Sequence, residues 1–420
     1  MMFGINATGI GRNVSAGFLY HYAGRGFLVV LGLCLALLGG PPVLAADFRL
    51  VPGLDLKEEY NDNLFLDEDK PEDDFITTMS PSLEFDRDTE RTKLKLTGRI
   101  GVIEYADHDD LSAVDQRYSG RLSVQQSPRL GLSMQGDYLR DHRPDRDFLV
   151  SGLLFDAVRR ERWTLGGAGS YAMTERNRLD GRYSYASETF PGGNFTDSDT
   201  HYVSASHVYD WSPRLAQSLT LDYSHTTYDA ANLDNVRLQL GLMATLAERW
   251  NFDASVGGRY TRSKFETYER VFEPPYIVSV KQNERSDETG GVAHLKLRYR
   301  TDRTRVSVGG NYDVELASGR SGAVTQTALT LDLIQRLHRE ISGYVHGGYY
   351  FNNADAKELA DEEIDSRNLR LSAGFRWDLS PDWGTSLDYQ FVRYDDRTDD
   401  TRANRHLVAL RLLYRTPLWD

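Results

Sequence analysis

Residues 57–66 read KEEYNDNLFL, and an acidic run, DEDKPEDD, follows at 67–74. Clustered carboxylates and amides of this kind can bind calcium, share a proton in catalysis, or be solvated. A calcium loop of the helix–loop–helix type needs a central glycine for its sharp turn and a glutamate at its twelfth position. This stretch has no such glycine, and Pro71 interrupts it. A solvated acidic loop is the reading the residues favour. His108 in DHDD (107–110) and His142 in DHR (141–143) each stand beside carboxylates. A histidine–carboxylate pair can activate water, which makes a barrel hydrolase the outside alternative. No Gly-x-Ser-x-Gly turn accompanies these pairs, and the histidines are scattered without the spacing of a metal site. No catalytic residue, metal or cofactor is assigned.

The segments that would have to position such groups alternate with period two. In VAHLKLRYR (292–300), Ala293, Leu295, Leu297 and Tyr299 share one side, and His294, Lys296, Arg298 and Arg300 the other. RVSVGGNYDVEL and NLRLSAGFRWDL repeat the pattern. Side chains of a strand point alternately to opposite faces, so these are strands with one apolar and one charged face. ALTLDLIQRL (328–337) is the stretch where a helix competes. Connections alternate as well. Tight ones carry DTER, SPR, TERNR, SPR, AERW, TDRT, LHRE and SPD; the Ser-Pro phrases are turn formers because proline presets φ and serine bonds the backbone. Longer polar ones fall at 64–73, 107–113, 142–149, 191–198, 266–287 and 355–364.

Short turns at one end and long loops at the other describe an all-β, up-and-down antiparallel transmembrane barrel. The count from Leu50 to Thr416 is about 18 strands, with about 16 as the alternative. It takes 150–173 as one long strand. Tyrosines near strand ends (Tyr105, Tyr138, Tyr185, Tyr223, Tyr260, Tyr350, Tyr394, Tyr414) suit interfacial girdles. A soluble sandwich or propeller also alternates, but its apolar faces meet each other and carry less Tyr and Gly.

Residues 1–46 contain no Asp or Glu, two arginines (Arg12, Arg25), an apolar block from Phe27 to Leu38, and VLAAD. They read as a signal peptide cut after Ala45 or Ala46, leaving 47–420 as the barrel domain. The apolar block is short for a membrane anchor. Cys34, the single cysteine, lies within that leader, so no disulfide is expected beyond it. Loss of the leader takes the net charge from −13 to about −15, which disfavours nucleic acid as a partner.

With lipid outside, the charged faces line the interior. The expected lining mixes Arg121, Arg182, Arg237, Arg259, Lys296, Arg298, Arg305, Arg370, Arg376 and Arg411 with Asp137, Asp180, Asp222, Asp253, Asp313, Asp332, Asp378 and Asp388. Such groups pair across strands and stiffen the wall, and they also offer a hydrated path to a polar passenger. The loop at 266–287, with its EPPYIVSV core, is the candidate plug.

PGLDLKEEYNDNLFL, DDFITTMSPSLEF and RTKLKLTGRIGVIEY together resemble the β-barrel porins of the BBP2 type. The matching positions are Tyr60, Asp62, Asn63, Asp74, Phe75, Ser80 and Pro81. The family is associated with exopolysaccharide and capsule gene clusters. The resemblance therefore implies an outer-membrane conduit for a polysaccharide, working with a periplasmic export protein; a general diffusion porin is the alternative. It also implies outer-membrane lipid and the barrel-assembly machinery as partners, the latter reading VALRLLY (408–414). The chain departs from the usual terminal aromatic, since Trp419 is penultimate. Pro81 cannot donate a ladder bond, so a bulge or a late strand start is expected there.

Overall fold

The computed structural model describes residues 47–143, 158–192, 195–273, 276–316, 321–356, 359–360 and 363–418, with the side chains of 267–283 left aside. The expected leader, most of the segment between 142 and 157, and Trp419 lie outside the described residues. The strands are β1 (Asp47–Asn61), β2 (Asp74–Asp88), β3 (Thr92–Tyr105), β4 (Ala113–Ser127), β5 (Leu130–Asp141), β6 (Arg160–Ala172), β7 (Asn177–Thr189), β8 (Ser198–Ser212) and β9 (Leu215–Tyr228). They continue as β10 (Ala231–Ala247), β11 (Trp250–Glu273), β12 (Tyr276–Arg300), β13 (Thr304–Leu316), β14 (Ala323–Arg336), β15 (Ile341–Ala354), β16 (Ile364–Asp378), β17 (Trp383–Asp396) and β18 (Thr401–Arg415). Each pairs antiparallel with its sequence neighbours in one 18-stranded sheet, and β1 also pairs with β18, from Gly53↔Arg415 to Asn61↔Leu407. The sheet is thus a closed barrel with no free edge along its wall.

The ladder explains why alternation was so regular. Across every seam the register links residues of one parity class, so the two faces can be followed round the ring. One face carries Leu56, Leu132, Leu221, Leu240, Val256, Leu329, Phe375 and Leu410, all exposed large apolar side chains; Leu240 is 59% exposed and Val256 65%. On the other face, side chains reach across intervening strands. Arg237 of β10 meets Asp313 of β13, and Arg99 of β3 pairs with Asp55 of β1. Residues separated by further strands converge only on a concave surface. The charged face is therefore the inner one, and the apolar face looks out to lipid.

Aromatic rings border the apolar band at both ends. Near the turns, Trp250 packs on Tyr299 at 4.7 Å and Trp383 on Tyr414 at 4.8 Å. Toward the loops, Tyr60 meets Phe75 at 4.9 Å and Tyr138 meets Trp163 at 4.4 Å. On β11, Trp250 and Tyr260 are about 10 residues apart, which at ~3.4 Å per residue and ~40° of tilt gives ~25 Å, the height of a membrane band. Not every expected girdle tyrosine belongs to it. Tyr105, Tyr350 and Tyr394 fall on the inner parity class, because their places in β3, β15 and β17 are in register with inner residues.

Several expectations change in detail. The segment 150–173 holds a strand only from Arg160 in its described part. ALTLDLIQRL is strand, in β14. Pro81 causes neither a bulge nor a late start: β2 begins at Asp74, pairing with β3 lapses after Met79↔Val102, and it resumes at Ser82↔Arg99 in the same register. The ladder to β1 continues through Leu54↔Pro81, so one missing donor costs a local contact and no slip. The tight turns match the Ser/Thr reading: Ser127 Oγ accepts from the N–H groups of Arg129 and Leu130, and Ser380 Oγ from those of Asp382 and Trp383. The largest change is at 266–287. Backbone pairing of β11 with β12 continues without a shift to Glu273↔Tyr276, so this segment is a β-hairpin rather than an irregular loop. It stands beyond its neighbours, since β10 stops pairing at Ala231↔Phe265 and β13 at Tyr312↔Ala293.

Candidate functional site

Every cation and carboxylate expected to line the lumen stands on the inner parity class. Register shows it strand by strand: Lys95↔Arg121, Ser119↔Asp137, Arg182↔Ser204, Arg237↔Asp222, Arg237↔Arg259 and Met243↔Asp253 on one arc. Lys296↔Gly309, Arg298↔Ser307, Ser307↔Asp332, Gly348↔Arg370, Arg376↔Ser386 and Asp388↔Ala409 follow on the other. They are not brought together at one point, as a catalytic constellation would be. They form a wall.

Burial along that wall is unequal. At the loop end inner side chains are sealed all round the ring: Asn61 1% exposed, Ile76 0%, Arg160 4%, Thr226 1%, Ser263 1%, Asn352 1%, Asn368 0%, Val392 0% and Arg405 1%. At the turn end they are open, with the Lys93 side chain 72% exposed and Arg376 57%. Neutral polar groups satisfy one another in the sealed zone: Gln326 donates to Asn352 at 3.0 Å, and Asn352 to Ser366 at 3.3 Å. Charges there are paired, since a lone buried charge is costly: Arg160 with Asp141 at 2.8 Å, Arg259 with Glu288 at 2.7 Å, and Glu59 with both Lys57 and Arg143.

At this end the outer ends of several strands, with the connections holding Phe195, Leu359 and Ala360, form an apolar cap that sequence reasoning missed. Tyr228, Ala231, Leu233 and Phe265 pack with Ala323, Val324, Ala354, Leu359, Ala360 and Ile364, and Phe195 joins from the β7–β8 connection. Tyr228 Oη donates to the carbonyl of Gly322 at 2.6 Å, and the Ala323 N–H donates to the carbonyl of Leu359 at 2.8 Å. Gly322 has φ +121, and a Cβ there would lie 2.3 Å from the Leu359 oxygen. Only glycine allows that approach.

The acidic first loop is the other half of the cap, and it is less solvated than its composition suggests. Its aspartates face water, but Leu64 packs on Ile76, Ile103 and Tyr105 of the inner wall, and Leu66 on Val392 and Ala403. Motif residues hold this fold-back. Asn63 donates to the carbonyls of Asp67 at 2.7 Å and Asn404 at 3.1 Å, and accepts from the Asp67 N–H. Asp62 accepts from the His406 N–H. Asp74, 1% exposed, accepts from the N–H groups of Ala106, Asp107 and His108. Tyr60, Phe75 and Pro81 fall on the lipid-facing parity class, and Ser80 is buried on the inner one. The signal available in the sequence was the apolar pair Leu64 and Leu66 inside an otherwise polar connection.

His108 sits between carboxylates, its Nδ1 at 2.8 Å from Asp74 and its Nε2 at 2.7 Å from Glu72. Hydrogen bonds to Glu72 and then Asp74 raise its pKa above the usual imidazole value. His142 Nδ1 lies 3.0 Å from Asp115. Both histidines are thus paired with carboxylates of the first loop, β2 and β4. No group of side chains suited to a metal ion occurs among the described residues.

A porin family matches the first six strands: residues 44–169 fit the family model described as "Putative beta-barrel porin 2". The chain is a closed 18-stranded antiparallel β-barrel whose first third is similar to that family. No curated protein matches it. Among solved structures, the copper transporter OprC aligns over 87% of this chain with a TM-score of 0.49 and 10% identity; the chain spans 65% of the length of that protein. Pseudomonas aeruginosa OccK2 (OpdF) aligns over 89% of this chain and 99% of its own, with a TM-score of 0.47 and 10% identity. OpdO from the same organism gives 89% and 98%, 0.45 and 11%.

Proposed function

We propose that this barrel is an outer-membrane conduit that takes a polysaccharide from the turn end and releases it through the loop end. The observation that carries the reading is the burial gradient of the inner wall, open at the turns and sealed at the loops. Short turns of such barrels face the periplasm and long loops the exterior. A passage open inward and capped outward suits outbound cargo better than inward diffusion of nutrients. The wall chemistry supports a hydroxyl-rich cargo. A cavity of about 650 Å³ on the inner side is lined by Ser123, Gln125, Ser133, Ser170, Ser204 and Ser206, with Arg182 and Asp180 beside them. Another, of about 320 Å³, is lined by Ser218, Thr220, Gln239 and Ser255. Small hydroxyls and amides exchange hydrogen bonds with sugars at little desolvation cost.

In this reading residues 1–46 are a cleaved leader, β18 presents the assembly signal, and a periplasmic export protein feeds the turn end. The channel provides a path and performs no chemistry. The test is a deletion strain in which polymer is measured outside and inside the envelope. Loss from the medium with retention in the periplasm is expected. Normal secretion would remove the export reading and leave a diffusion porin.

A further inference from the structure

On most of the inner wall near the turns, opposite charges come in pairs. Lys93 lies 3.1 Å from Asp88, Lys95 2.6 Å from Glu84, Arg178 2.9 Å from Asp180, and Arg376 3.0 Å from Asp378. A patch on β12 and β13 departs from this pattern. On β12 and β13 the inner parity class carries Lys296, Arg298, Arg300 and Arg305 together. Arg300 stands directly opposite Arg305 across the seam. Arg298 has a distant partner, Asp253 at 3.7 Å, while Lys296, Arg300 and Arg305 have no carboxylate in ion-pair contact among the described residues. Asp332, the nearest carboxylate on β14, is engaged by His346 at 2.7 Å. Arg298, Arg300 and Arg305 are exposed to the open end of the lumen.

Like charges directly opposite on a ladder destabilise the pair, and a serine or threonine, as used elsewhere on this wall, would avoid the penalty. Neighbouring cations here are ~5–7 Å apart along and across the strands, a separation that lets one anionic chain meet several of them. Ser307 and Asn311 alternate with Arg305 on the same face, and Asn251 lies opposite Arg298. Cations for carboxylates and short polar groups for hydroxyls are thus interleaved.

We propose that this patch is a binding site for the carboxylates of an acidic saccharide, held at the mouth of the turn end before passage. The inference rests on the conduit reading for its cargo, and adds that the cargo is a polyanion rather than a neutral glycan. The guanidinium forks of Arg300 and Arg305 would take carboxylates bidentately, with Lys296 a point charge deeper in the lumen.

The test uses the full barrel in detergent, with trigalacturonate and maltotriose as probes and titration calorimetry as the readout. Trigalacturonate is expected to bind, more weakly as salt rises, and at least ten-fold more tightly than maltotriose. The triple variant Lys296→Gln, Arg300→Gln, Arg305→Gln should lose that preference. A variant with Arg129→Gln, Arg214→Gln and Arg339→Gln removes equal charge from exposed turns and should keep it. Heat-modifiable gel mobility checks that both variants fold. Equal binding of the two probes, absence of trigalacturonate binding, or its survival in the inner-wall variant overturns the proposal. Failure of polymer export in the deletion strain together with equal probe binding would spare the conduit and reject only the acidic cargo. Selective trigalacturonate binding with normal secretion would do the reverse.

Discussion

At the scale of single residues, the motif shared with the porin family reads as a set of fastenings. Asn63 ties the first loop to itself and to β18 through side-chain hydrogen bonds. Asn63→Ala removes these bonds at a buried position, at a cost of about 1–3 kcal/mol. Limited proteolysis should then cut within 64–73 faster than in the parent; an unchanged rate would separate the motif from the cap. His108 makes the fastening pH-sensitive. Its pKa is raised by Glu72 and Asp74, so the charged form is favoured in the folded state. The contribution is full below the ordinary imidazole value of ~6.5 and is lost as pH rises through the higher folded value. Hydrogen exchange in 62–73 and 106–112 should therefore quicken more steeply above neutral pH in the parent than in His108→Ala. Gly322→Ala sets a Cβ against Leu359 at a positive φ, with strain on the order of 1–3 kcal/mol. In planar bilayers that variant should show larger or more frequent openings than the parent.

At the scale of elements, the strands were legible in the sequence and the loops were not. Period-two alternation in segments such as 292–300 gave strand, face and register at once, because lipid on one side and water on the other enforce the same rule at every seam. Charges at Arg237 or Asp388 could be assigned to a face without knowing what they touch. Connections obey no such rule. The stretch at 266–287 reads as a loop because it is long and contains two prolines, yet its backbone pairs as a β-hairpin. The cap came instead from Phe195, Tyr228 and Leu359, which lie far apart in sequence and reveal their contact only after closure. Removing 267–283 should leave the barrel folded and its conductance unaltered, since the described cap residues lie outside that segment. A marked rise in conductance would restore the hairpin as a plug.

For the whole molecule, the apolar band and the polar wall must both survive any change. Leu240, near the middle of β10 and 59% exposed on the lipid face, is a sensitive place. Leu240→Arg should cost about 2–4 kcal/mol in urea refolding into vesicles, whereas Gln239→Arg on the adjacent inner position should cost much less. The pairing of faces with register has a genetic corollary. A single residue inserted within a strand turns everything beyond it in that strand over, sending leucines into the lumen and arginines into lipid. Closure of β1 on β18 leaves no edge at which the error could run out. Length variation is then affordable only where the chain leaves the membrane on the loop side, and a random-insertion library selected for assembly should recover its survivors there, with the strands nearly empty of them.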